Sequence, residues 1–378
     1  MNAPKPFPLI EISGPPRVRG RQYGEQAASR IGQSVAVYGD QLSSLGLDDG
    51  KRAALLEEFE VQIARFDADY LEEMRGIAEG ASVSLADIVM INARTEVVSR
   101  ARMIAKQEPL HDDSIEDGCT GAVILPERSA SGHLIHGQNW DWRAECVETS
   151  VVLRVQREEG PELLTFVEAG GLARSGLNGA GLAITANFLR CERDYRQIGV
   201  PLSLIRRKVL EQSHMALAMK VVATTPKSCS NNMMLSSAEG FAIDFECAPD
   251  ESFALYPSND IIVHANHWMS DVALAKLQER GIETSPDSLY RAWRVRRRLE
   301  ASGQRVGVDD LKAAFFDDFA SPYSVCRPPR PGFQGDLSAT VAMVMMEPAL
   351  GRLEVAPLPA LNQEFGQYHL QEKIAVGV

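Results

Sequence analysis

Asp117-Gly118-Cys119-Thr120-Gly121-Ala122-Val123-Ile124-Leu125-Pro126 is followed, across Ser129-Ala130-Ser131-Gly132, by His133-Leu134-Ile135-His136-Gly137-Gln138-Asn139-Trp140-Asp141-Trp142. Residues 120–126 and 133–141 have the period of strands, and the small polar residues between them make a turn. Two strands joined in this way bring Cys119 and Asp141 to the same sheet end. Cys119 has a small flexible residue before it and a small hydroxyl residue after it. From the residues alone Cys119 is either a buried thiol or a nucleophile, and Asp141 either a strand-end turn former or its partner.

Outward from this pair, the first third reads as helical: residues 23–45, 52–66, 69–79 with Gly80 as C-cap, and a helix starting at Ser84-Leu85-Ala86-Asp87 and running to about Arg100. Residues 106–118 read as an exposed polar loop rich in acids. Beyond the opening strands, further strands are expected at 150–157, 162–168 and 181–188. A helical block at 202–223 follows, then strands at 232–236, 240–246, 252–257 and 260–265. Helices at 288–301 and 308–316 precede a closing hairpin, 340–346 with 352–357. That order fits an α+β sandwich of two antiparallel sheets stacked face to face with helices outside. Strands and helices do not alternate singly, so a doubly wound parallel sheet fits poorly.

The 378 residues suffice for a large core without a disulfide or metal staple. Lys plus Arg is 39 and Asp plus Glu 51, a net charge of −12, which speaks against nucleic acid and anionic lipid as partners. No segment approaches the roughly 18 unbroken apolar residues of a membrane span. Residues 1–8 lack the charged and apolar regions of a secretory signal, so a cytoplasmic location is expected. The six cysteines, at 119, 146, 191, 229, 247 and 326, form no Cys-x-x-Cys pair and suit a reducing compartment.

Other candidates carry two readings each. His264 and His267 flank Asn266, but a spacing of three on a strand-to-loop turn without a third ligand disfavours a metal; they satisfy hydrogen bonds or line a pocket. Gly170-Gly171, Gly176 and Gly179-Ala180-Gly181 lack the Lys-Ser/Thr of a phosphate cradle and read better as a hairpin turn near a pocket. Trp140, Trp142 and Phe188 are pocket walls for an acyl or aryl group, or simply core.

The chain resembles the acyl-coenzyme A:6-aminopenicillanic acid acyltransferase family of autoproteolytic N-terminal-nucleophile hydrolases. The resemblance spans nearly the whole sequence: Leu71-Glu72-Glu73-Met74-Arg75-Gly76-Ile77-Ala78-Glu79-Gly80, Asn92-Ala93-Arg94-Thr95-Glu96, Asp117-Gly118-Cys119-Thr120, Gln138-Asn139-Trp140-Asp141, Gly176-Leu177-Asn178-Gly179-Ala180-Gly181-Leu182 and His264-Ala265-Asn266-His267. It implies an αββα sandwich and a precursor that cuts itself between Gly118 and Cys119. The products would be a mainly helical chain, 1–118, and a nucleophile-bearing chain, 119–378, that stay together as a heterodimer. It further implies Asn266 as oxyanion donor, Asp141 as the group that orients the α-amine and assists cleavage, and Arg327 as an active-site arginine. Arg327-Pro328-Pro329-Arg330-Pro331 departs from the family's pattern, which leaves a solvated loop arginine as the other reading.

The chemistry of the cut needs no family. The thiol attacks the Gly118 carbonyl in an N-to-S acyl shift, eased by the conformational tolerance of Gly118, and water hydrolyses the thioester. The freed α-amine, with a pKa of about 7.7–8.0, then takes the proton of its own thiol. The expected activity is acyl transfer from a small N-acyl amine or amide to Cys119 and on to water, with no cofactor. An acyltransferase using a thioester donor and an amine acceptor shares the same residues. A non-catalytic small-molecule-binding sandwich and a Cys-His hydrolase that does not process itself are the alternatives outside this class.

Overall fold

The computed structural model describes residues 5–106, 118–332 and 336–371; most of the expected acidic loop lies outside them. In chain order the elements are β1 (Leu9–Ser13), α1 (Pro16–Ser44), α2 (Asp49–Phe66), α3 (Ala68–Ala81), α4 (Leu85–Asn92), α5 (Arg94–Lys106), β2 (Gly118–Ile124), β3 (Ile135–Arg143), α6 (Cys146–Thr149), β4 (Ser150–Gln156), β5 (Leu163–Glu168), β6 (Ser175–Asn178) and β7 (Leu182–Phe188). Then come α7 (Leu202–Leu210), α8 (Met215–Thr224), β8 (Asn231–Ser237), β9 (Phe241–Cys247), β10 (Ser252–Leu255), β11 (Ile261–His264), α9 (Asp271–Lys276), α10 (Asp287–Ala301), α11 (Val308–Phe315), β12 (Arg330–Pro331), β13 (Leu337–Glu347), β14 (Arg352–Pro357) and β15 (Gly366–His369).

The strands form two sheets. The first runs β1-β4-β5-β6-β7-β8-β9-β10 and the second β11-β2-β3-β13-β14-β15, with β12 on β13. Among the described strands one pairing is not antiparallel: β1 lies parallel to β4, a departure from the purely antiparallel expectation. Trp140, Leu164, Phe166, Leu177, Val344 and Val355 fill the space between the sheets. Residues of α1–α5, α7 and α8 cover the outer face of the first sheet. Val295 and Leu299 of α10 and Leu311 and Phe315 of α11 cover the second, against Ala122, Ile124, Ile135 and Met343. Each such apolar side chain contributes about 1.5–3 kcal/mol when fully buried, so the expected four-layer α+β sandwich, αββα, is held by three cores. No helix among the described residues is long and apolar enough to cross a membrane.

Local sequence explains most boundaries. Ser84 caps α4 in a reciprocal box: its hydroxyl accepts from the Asp87 amide at 3.1 Å, and the Asp87 carboxylate accepts from the Ser84 amide at 3.0 Å. The long helix expected from there to Arg100 is broken at Ala93, which leaves helical geometry (φ −112°, ψ 20°). The Asn92 side chain explains the break: its amide donates to the Ile88 and Gly170 carbonyls, and its oxygen accepts from the Leu172 amide at 2.9 Å. These bonds tie the end of α4 to the loop between β5 and β6.

Gly80 is not a cap. The helix continues to Ala81 and closes on Ser82 in the left-handed region (φ 57°). Gly80 lies instead against α1, where a Cβ would run into the backbone of Arg21 and Gly24; Gly20 and Gly76 are matched in the same way. The block 202–223 is two helices, α7 and α8. Between β6 and β7, the residues 179–181 make the expected hairpin turn, with Gly181 at φ +79°.

Candidate active site

The β2–β3 register sets Gly118 opposite Asp141 and Cys119 opposite Trp140, and β13 sets Thr340 opposite Asp141. Directly opposed residues share a face. Cys119 and Trp140 therefore face the first sheet, in the core between the sheets. Gly118, Asp141 and Thr340 face the other way, toward α10 and α11. Asp141 thus faces the bond before Cys119 rather than its sulfur.

Behind that bond the polar groups interlock. Asp141, fully buried, accepts from the Thr340 hydroxyl at 2.6 Å and lies 3.3 Å from Nε of Arg327. Arg327 is buried too, its amide donating to Thr340 Oγ1 at 2.8 Å, and its guanidinium also bonds Asp287. Its burial between these groups excludes the reading of a solvated loop arginine. Asp287 pairs with Arg291, one turn on in α10, at 2.7 Å. Burial alone would raise the Asp287 pKa, but Arg291 and Arg327 hold it down at about 2. Gly118 has no room for a side chain: a Cβ would come within 2.6 Å of both Arg327 Nη1 and Asp141 Oδ2.

Asn266 sits just after β11. Its Oδ1 accepts from the backbone nitrogen of Cys119 at 2.8 Å and from Arg291 at 2.9 Å, while its amide donates to the Phe188 carbonyl at 2.9 Å. These partners fix which end is oxygen. One of the two N–H bonds of the amide is used and the second is left for another acceptor. Arg291 also donates to the Cys119 carbonyl at 2.7 Å and to Thr120 Oγ1 at 2.8 Å.

The histidines do other work. His264 is fully buried, with Nε2 2.7 Å from Glu246 and Nδ1 3.0 Å from the Ala265 carbonyl. Burial would lower its pKa, but Asp244 and Glu246 raise it to about 9, so it is an imidazolium. His267, pushed down to about 4 by burial and by the His264 charge, shares Ser288 Oγ with the backbone N–H of Asn266. Neither is among the residues lining the cleft at Cys119. Among the described residues no group of three His, Cys, Asp or Glu side chains could hold a metal.

That cleft encloses about 600 Å³, its mouth included, and its walls include Cys119, Phe188, Arg94, Glu168, Arg174 and Arg206. Trp140 is buried behind it, with the Arg174 guanidinium 3.9 Å from its ring centroid. Half-buried Trp142 stacks on Arg94 at 4.4 Å and donates to the Tyr38 hydroxyl at 3.2 Å. Reading the sequence missed Asp287 and Arg291. Their signal was a carboxylate and a guanidinium four apart on a helix whose same face carries Val295 and Leu299.

The family model for acyl-coenzyme A:6-aminopenicillanic acid acyl-transferase matches residues 128–355. The chain belongs to that family and is an enzyme of acyl transfer. The acyl-coenzyme A:6-aminopenicillanic-acid-acyltransferase 40 kDa form of Emericella nidulans is 28% identical over 338 residues, 84% of each chain. Among solved structures, a mutant conjugated bile acid hydrolase from Clostridium perfringens is 12% identical with a TM-score of 0.48, over 68% of this chain and 94% of that one. Penicillin V acylase from Agrobacterium tumefaciens is 13% identical with a TM-score of 0.44, over 67% and 87%.

Proposed function

We propose that the chain is a self-processing N-terminal cysteine amidohydrolase. The thiol of Cys119 adds to the Gly118 carbonyl, the C–N bond breaks as the nitrogen takes up a proton, and the resulting thioester is hydrolysed by water. Gly118 leaves as a carboxylate and Cys119 keeps a free amine and thiol. In turnover the amine accepts the thiol proton, sulfur adds to the substrate amide, and the tetrahedral intermediate expels the amine, which takes that proton. Water then cleaves the acyl thioester and regenerates the thiol.

Asn266 has two parts in this scheme. Its oxygen holds the Cys119 nitrogen so that the lone pair of the freed amine points at its own sulfur. Its remaining N–H is the oxyanion donor, a type of contact worth about 3–4 kcal/mol in the barrier. Asp141, with Arg327, presses on the Gly118 side of the bond and orients the amine once it is free. The observation that carries the reading is the 2.8 Å hydrogen bond from Cys119 N to Asn266. The fragments 1–118 and 119–378 would remain associated, since α1–α5 share one apolar core with the first sheet. None of the six thiols is in a disulfide, which supports a reducing, cytoplasmic setting.

A second reading, transfer of the acyl group to an amine, is supported by the name of the Emericella nidulans relative. It uses the same residues and differs in what attacks the thioester. Mass spectrometry of acid-quenched enzyme during turnover of a panel of N-acyl anilides tests both. An acyl adduct on Cys119 is expected, and added amine captures the acyl group only if transfer operates. Turnover without any adduct, in an enzyme whose Cys119→Ala variant stays active, would refute the scheme.

A further inference from the structure

Among the described residues, two guanidiniums in the wall of the Cys119 cleft have no anionic partner. Arg174 precedes β6 and Arg206 lies in α7; each is only 8% exposed and both line the cleft. Nε of each is buried without a hydrogen bond, and no ion pair among the described residues engages either. The contrast with the next residue is instructive. Arg207, fully buried, pairs with Glu73 at 3.1 Å and Glu211 at 2.9 Å, and Arg94 in the same cleft pairs with Glu168 at 2.8 Å. Glu96, also on the cleft wall, exerts a charge on Arg206, but its Oε1 is engaged by the Leu202 amide at 2.8 Å.

A buried cation without a counter-ion is destabilising. Burial and, next, the repulsion of Arg174 lower the Arg206 pKa to about 10. Counting Arg94, Arg174 and Arg206 against Glu96 and Glu168 leaves the cleft one net positive charge. A single carboxylate would balance it, and a guanidinium fork matches a carboxylate's two oxygens. A doubly charged phosphate would overcompensate.

We infer that Arg174 and Arg206 form a carboxylate-binding subsite, so that preferred substrates are amides carrying a carboxylate apart from the bond that is cut. This rests on the proposed reaction at Cys119 for its meaning but not for its test. The other role open to two cations beside a thiol, stabilising the thiolate, would act on all substrates alike.

Two substrate pairs separate these outcomes: hexanoyl and adipoyl 4-nitroanilide, with the charge on the acyl half, and N-hexanoylaniline and N-hexanoyl-4-aminobenzoate, with it on the amine half. In wild-type enzyme the charged member of at least one pair is expected to have a kcat/KM about tenfold higher or more, chiefly through KM. Arg174→Met and Arg206→Met bring that ratio toward one, and Arg206→Lys restores part of it. The pair that responds identifies the half that carries the carboxylate. Absence of a preference, or a preference unchanged in the variants, overturns the inference.

Calorimetric titration of wild type and variants with hexanoate and with hexan-1-ol reads the subsite without chemistry. Hexanoate binding that is lost in the Met variants upholds the subsite even if no acyl transfer is found. An active enzyme whose hexanoate binding ignores both substitutions removes the subsite and leaves the reaction standing. The thermal midpoint of Arg206→Met should equal or exceed that of wild type, because no ion pair is lost, which separates these results from misfolding.

Discussion

The backbone nitrogen of Cys119 is bonded to Oδ1 of Asn266 at 2.8 Å while Gly118 and Cys119 still belong to one strand. The atom that the proposed reaction turns into a base is therefore already held at its working position before any cut. Asn266→Ala removes this acceptor and the spare N–H donor together. Its kcat should fall by about 10²–10³, and stability by about 1–3 kcal/mol as Cys119 N and Arg291 lose a buried partner. Steady-state kinetics and thermal melts measure the two effects separately.

Gly118→Ala would place a methyl group within 2.6 Å of Asp141 Oδ2 and Arg327 Nη1. Both belong to buried side chains held by other atoms, Asp141 by Thr340 and Arg327 by Asp287, so the strand must shift, at a cost of about 1–3 kcal/mol. Processing should slow strongly, read as persistence of the full-length band on a denaturing gel over days. Cleavage at the wild-type rate would show that the packing around Gly118 does not matter for the cut.

Asp141→Asn keeps the shape of the side chain but removes the charge that faces Arg327. Breaking one arm of this buried pair should destabilise the protein by about 3 kcal/mol or more, seen in urea unfolding. The same variant should process more slowly than wild type. Asp141→Glu, which keeps the charge but has one more methylene, should lose less stability than Asp141→Ala.

Two groups near the site contribute to the edges of the stability curve. The His264 pKa is about 9 in the fold against 6.5 for the free side chain, after the carboxylates outweigh burial. Its contribution is complete below about pH 6.5 and disappears as pH rises through 9. The Asp287 pKa is about 2 against 3.8, so its contribution is present above about pH 4 and is lost as pH falls toward 2. Thermal midpoints of wild type and His264→Gln, compared at pH 6 and pH 10, should differ much more at pH 6. Equal differences at both values would show that His264 is not charged in the fold.

The sequence showed the parts of this site that depend on short-range order. The strand period of 120–126 and 133–141 with a small-residue turn between them is enough to put Cys119 and Asp141 at one sheet end, and Ser84 with Asp87 is a helix start by chemistry alone. What it could not show depends on partners far along the chain. Arg206 and Arg207 are adjacent and identical, yet one is paired with Glu73 and Glu211 and the other faces a cleft. Gly80 has the look of a helix stop until α1 is laid against it. The edge strands β1 and β15 are short and alternate buried with more exposed residues, and β1 pairs with β4, far along the chain, so nothing local announces them.

The central claim is tested most directly by intact-mass measurement and N-terminal sequencing of purified, active protein. The account predicts two chains for wild type, the second starting at Cys119 with an unblocked amine, and a single chain for Cys119→Ala. Fully active wild-type protein with residues 118 and 119 still joined by a peptide bond would contradict it.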